Sequence, residues 1–145
     1  VTQEEVLDGG NINHIVRKEN TVLRPTGIWS PCVHELLKHL EKQGFEGAPK
    51  FIGIDDSERE ILTFISGEVP GNKYPELEPY MWSDAILVGL ARLLRRFHDA
   101  TEGFILMSES KWQLSYFDEG QHEVICIMTQ HCTMWSFNKG SLCTD

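Results

Sequence analysis

Apolar residues at Val33, Leu36, Leu37 and Leu40 recur at i, i+3, i+4 and i+7, the spacing of one helix face. Ser30-Pro31 supplies an N-cap and a first-turn proline ahead of them, and Gly44 stands where a left-handed C′ residue ends a helix. Before this helix the period shortens: Ile12 to Arg17 alternates, and Thr21 to Arg24 is β-branched and apolar, which predicts two paired strands around an Asn20 turn. After it, Lys50 to Ile54 and Glu60 to Ile65 predict two more strands joined through the polar stretch Asp55 to Arg59, with Ser66-Gly67 ending the second. Glu68 to Met81 holds three prolines and few apolar residues, as a connection would. A second helix follows, with Ser83 as its cap, Asp84 at the positive end of its dipole, and a broad stripe of Ile86, Leu87, Leu90, Leu93, Leu94 and Phe97. Arg92, Arg95 and Arg96 lie toward its C-terminal end, where cations are favoured.

Composition narrows the function classes. The 145 residues are 41% hydrophobic and 24% charged, enough to bury a real core and too ordered in character for a disordered chain. A formal net charge of -9 repels a phosphate backbone and argues against general nucleic-acid binding. No apolar run approaches the roughly twenty residues of a membrane helix, and the acidic N-terminal stretch has no secretory hydrophobic region, so a cytoplasmic, membrane-free protein is expected. Cys32, Cys126, Cys132 and Cys143 form no CxxC pair, and with His122 and His131 they match no common zinc spacing; free thiols are the simpler expectation.

The stretch Leu7 to Pro25 carries the candidate chemistry. Two strands flank the glycine pair Gly9-Gly10, whose backbone can adopt positive φ and approach an anion closely, and Arg24 stands at the end of the second strand. In order along the chain, Leu7-Asp-Gly-Gly-Asn-Ile-Asn-His-Ile-Val-Arg, Thr21-Val-Leu-Arg-Pro-Thr-Gly, Val33-His-Glu-Leu-Leu-Lys-His-Leu-Glu, Gly47-Ala-Pro-Lys-Phe-Ile-Gly, Leu62-Thr-Phe-Ile-Ser-Gly-Glu and Ala91-Arg-Leu-Leu-Arg-Arg-Phe-His-Asp-Ala resemble the small-lobe half of the aminoglycoside phosphotransferase and choline kinase-like family.

That resemblance implies an α+β fold: a protein-kinase-like N-terminal lobe of antiparallel sheet plus one helix, then a linker and the first helix of an incomplete C-terminal lobe. It makes Gly9, Gly10, Asn11 and Asn13 a phosphate-covering loop and Arg24 the cation on the α and β phosphates of ATP or GTP bound with Mg2+. It makes Glu35, on the same helix as His34 and Glu41, the carboxylate that pairs with and orients Arg24, and it gives Phe64, Ile65 and Gly67 to the segment whose backbone reads the nucleotide base. His98-Asp99 is structural in this reading. The implied reaction transfers a γ-phosphoryl group to a small-molecule hydroxyl acceptor.

The resemblance stops after Glu123-Val-Ile-Cys126, where the family continues with a His-Asn-Asp motif and this chain reads Ile127-Met-Thr-Gln-His-Cys-Thr-Met-Trp-Ser-Phe137. Restoring one base before this run lets its codons encode His-Asn-Asp-x-x-Leu-Tyr-Asn-Val-Val-Phe, so the stretch after Cys126 is read as an out-of-frame tail. The expected organisation is residues 1–66 as the small lobe, 67–126 as linker and start of a large lobe, and 127–145 as that tail. The catalytic aspartate and the metal-holding residues are absent from this pattern, so the expectation is an inactive kinase fragment, or alternatively a non-catalytic nucleotide-binding or interaction module. The stripe of the second helix, without large-lobe partners, is expected to promote self-association.

Overall fold

The computed structural model describes residues 4–7, 15–67, 79–109, 111–112, 137–138 and 141–142. Among the described residues it is α+β, built on a five-stranded antiparallel sheet in the order β1-β2-β3-β5-β4, with two α-helices and a short 3-10 turn at Pro79–Trp82. The strands are β1 (Glu5–Leu7), β2 (Ile15–Lys18), β3 (Thr21–Pro25), β4 (Phe51–Ile54) and β5 (Arg59–Thr63); the helices are α1 (Ser30–Lys42) and α2 (Asp84–Thr101). A short antiparallel pair, β6 (Phe137–Asn138) and β7 (Ser141–Leu142), lies in the C-terminal stretch.

The α+β expectation holds, and the local signals account for most element ends. β2 and β3 turn through Glu19 and Asn20, with Glu19 at φ 55 and the Thr21 hydroxyl donating to the Lys18 carbonyl at 2.7 Å. Between β4 and β5, Asp55 Oδ1 accepts from the backbone N–H groups of Ser57 and Arg59, an Asx-type turn that the polar run foreshadows. Gly44 sits at φ 71, and α1 ends in a Schellman motif in which Gly44 N–H donates to Glu41 and Phe45 N–H to Leu40. Phe45 then packs beside Leu40, the apolar contact that accompanies this motif.

Ser30 departs from its expected role. It is the first residue of α1, Trp29 occupies the cap position without a side-chain bond, and the Ser30 hydroxyl turns back to accept the Gly27 N–H at 2.9 Å. That bond fastens the corner between β3 and α1. A Cβ at Gly27 would fall 2.5 Å from the Trp29 ring, so a larger residue there forces the indole to shift. Ser83 does cap α2, accepting from Ile86 N–H.

One core lies between α1 and the sheet. Leu37, Leu40, Phe45, Leu62 and Phe97 form its buried centre, with Val33, Leu36, Ala48, Phe51 and Ala100 against them. Phe97 comes from α2, so the core joins residues on both sides of the expected boundary at 66/67. It meets Phe45 edge to face, with centroids 5.8 Å apart. Only the C-terminal end of α2 is held this way; Asp84 through Leu93 are exposed. Among the described residues no helix is long and apolar enough to cross a membrane.

Candidate functional site

The chemistry gathered on the described fold is centred on Glu60. β3 and β5 pair so that Arg24 lies opposite Glu60 on the sheet face that also carries Val22 and Leu62. Antiparallel neighbours in register share a face, so a glutamate in the middle of β5 points toward α1 rather than toward water. Glu60 is 3% exposed. Its carboxylate accepts from Arg24 Nε on one oxygen and from His34 Nε2, at 2.7 Å, on the other. The nitrogen facing the carboxylate carries the proton, which fixes the ring's orientation. Phe51 of β4 stacks on that ring with centroids 3.9 Å apart. Cys32, one of the four cysteines, is fully buried on the same helix as a free thiol.

A strand cation, a strand carboxylate and a helix imidazole thus form a closed charge centre between sheet and helix. A buried carboxylate is tolerable only when its lone pairs are met by donors, and here both oxygens are. The arrangement rivets α1 to β3 and β5.

Arg24 therefore has a carboxylate partner, but not the expected one. Glu35 lies on another face of α1, where its Oε2 accepts the Met107 N–H at 2.7 Å. That backbone donor holds the Glu35 carboxyl below the usual carboxylate range. The reason is helical phase: His34 and Glu35 differ by about 100° around the axis, so when His34 faces Glu60 its neighbour cannot. His39, farther along α1, donates from Nε2 to the Ala100 carbonyl at 2.8 Å and meets Phe104 edge to face. Residues 100–107 thus run as a strap along α1, pinned at His39 and at Glu35.

Of the remaining expected site residues, Phe64, Ile65 and Gly67 are described. Phe64 donates its backbone N–H to Asn20 at 2.8 Å, and Arg17 lies over its ring at 3.9 Å from the centroid. Ile65 is exposed, and Gly67 has open space around its Cβ position. Gly9, Gly10, Asn11 and Asn13 lie outside the described residues. His98 is partly buried; desolvation first, and then the Arg95 charge, push its imidazole below the usual histidine value. Among the described residues no three His, Cys, Asp or Glu side chains cluster closely enough to hold a metal ion.

A second charge group sits at Arg59, which donates from Nε to Asp55 at 2.8 Å and from its terminal nitrogens to both Glu4 oxygens. Those two partners raise the Arg59 pKa, and the arginine's donors hold Glu4 low, while backbone donors, led by Arg59 N–H, hold Asp55 low.

Sequence reasoning missed Glu60 and gave His34 no partner. A signal existed: an acid two residues before Leu62, within the predicted strand Glu60 to Ile65, otherwise apolar and β-branched, is an acid assigned to the buried face.

Fold and site together define an α+β domain whose helix is fastened to an antiparallel sheet by a buried, fully paired carboxylate. The chain is similar to a trifolitoxin immunity protein of Rhizobium leguminosarum bv. trifolii, with 34% identity over 143 residues, which cover 95% of this chain and 50% of that protein. The chain thus spans about half the length of this curated relative, and the match runs into residues 127–145. No family model matches the chain, and no solved structure matches it.

These findings overturn the kinase reading. The resemblance to the aminoglycoside phosphotransferase and choline kinase-like family, and with it the phosphotransferase function, finds no matching family model, whereas the long match is to an immunity protein. The physical reason is that a strand-turn-strand-helix order with scattered charged residues is a property of a fold, and a fold hosts many functions.

Proposed function

We propose that this chain carries part of a toxin-immunity protein, protecting a bacterial cell against a toxin of the kind for which its relative is named. The observation that supports this is identity of 34% sustained over 143 residues, nearly the whole chain. In this reading the Arg24–Glu60–His34 centre is structural: it sets the position of α1 on the sheet and so the shape of the surface that the domain presents.

The test is a segment exchange. The 143-residue stretch of the Rhizobium protein is replaced by this chain, and the chimera is expressed in a trifolitoxin-sensitive strain beside the intact protein and an empty vector. Raised tolerance to trifolitoxin is the expected result. A soluble chimera with a native circular-dichroism spectrum and no protection would overturn the proposal.

A further inference from the structure

We propose that the projecting half of α2 pairs, antiparallel, with the same segment of a second copy of this chain about a two-fold axis near Leu90. Three observations converge on this occupant. The first is continuity. The stripe that buries Phe97, packs Ala100 against the core and leaves Leu94 half-buried continues toward the helix start as Leu93, Leu90, Leu87 and Ile86, which are 39%, 51%, 65% and 45% exposed. A helix face is apolar along its length because it is covered along its length.

The second observation is that the stripe reads alike in both directions. From Leu90 the apolar pairs Ile86-Leu87 and Leu93-Leu94 stand three and four residues away on either side. An antiparallel copy therefore sets Ile86 and Leu87 against the other copy's Leu93 and Leu94, with Leu90 meeting Leu90. The third is charge. Asp84 marks one end of the helix, and Arg92, Arg96 and an Arg95 paired with Asp99 the other, which stays net basic. Antiparallel pairing opposes acidic to basic ends and aligns the helix dipoles favourably, whereas a parallel pair would stack the arginines. The exposed apolar area is on the order of 400 Å² per copy, about half of the ~800 Å² that each partner buries in a standard interface, so the pairing is a weak, reversible one in the micromolar range.

The experiment is sedimentation velocity on the full chain from about 1 to 100 µM, repeated with Leu90→Glu. Leu90 is half-exposed, so this variant is expected to keep the fold, which circular dichroism is used to check. The expected result is a concentration-dependent dimer weakened at least about tenfold by Leu90→Glu. Orientation is read by disulfide trapping with Cys126, Cys132 and Cys143 changed to serine: Leu87→Cys mixed with Leu93→Cys crosslinks, and Leu87→Cys alone does not. A dimer indifferent to Leu90→Glu, or self-crosslinking of Leu87→Cys, overturns the proposal. So does a monomer throughout the range, whether hydrogen exchange finds residues 84–93 protected by the rest of the chain or open to a different partner.

Discussion

Replacing Glu60 by alanine tests the structural claim on which the others rest. The substitution strands Arg24 and His34 and opens a void beneath α1. Removing one member of a buried ion pair costs about 3–5 kcal/mol. The Arg24 side chain keeps 31% of its exposure while Glu60 keeps 4%, so the stranded guanidinium recovers part of its hydration and the expectation falls at the lower end, about 3 kcal/mol. With a urea m-value of about 1.5–2 kcal/mol/M for a chain of this size, the unfolding midpoint should fall by about 1.5–2 M. Glu60→Gln keeps the shape and an acceptor for Arg24 Nε but loses the charge on two hydrogen bonds, and should cost only about 1–2 kcal/mol. The assay is urea unfolding followed by tryptophan fluorescence and circular dichroism, with Arg24→Ala and the double variant completing a cycle. A coupling energy of at least about 1 kcal/mol is expected between the two sites. Additive single effects, or a Glu60→Ala loss below about 1 kcal/mol, would refute a shared charge centre.

Three further outcomes follow from the geometry. Phe97→Ala removes a ring that is 6% exposed and should cost about 3–4 kcal/mol, with hydrogen exchange rising along α2 before it rises in β3 and β5. Gly44→Ala should cost about 1 kcal/mol in urea unfolding; nothing lies within 4 Å of the added Cβ, so the loss reports φ 71 alone. Glu35 is held below its unfolded pKa by the Met107 N–H, so its contribution is full above the unfolded value and disappears as pH falls through the folded one. Glu35→Gln should therefore flatten the stability profile below about pH 4.5 while leaving its shape near neutrality unchanged, as thermal unfolding across pH will show.

What the sequence disclosed was whatever is decided within a few residues. Gly44 ending α1, Ser83 starting α2 and Asp55 shaping the β4–β5 turn are local chemistry, and each is found where the pattern places it. Ser30 was misread because a hydroxyl at a helix start can serve either the turn ahead or the corner behind, and the choice depends on Gly27. The charge centre was beyond reach for a different reason. Arg24 and Glu60 are separated by 36 positions, and 22 acidic residues were available as partners. Only the register of β3 on β5, together with the helical phase that aims His34 inward and Glu35 away, selects one. Function was farther still, because no local rule links strand order to what a surface recognises.

The strap along α1 has a mechanical consequence. The helix receives α2 through His39 and Ala100, the following segment through Glu35 and Met107, and the sheet through His34 and Glu60, all strung over little more than one turn. α1 is therefore a fulcrum, and the projecting part of α2 is a lever arm acting on it. A roll of α1 by about 100°, the angular step of one residue, would lift the imidazole off its carboxylate. The seat of the arm and the interior charge thus draw on the same short stretch of one helix.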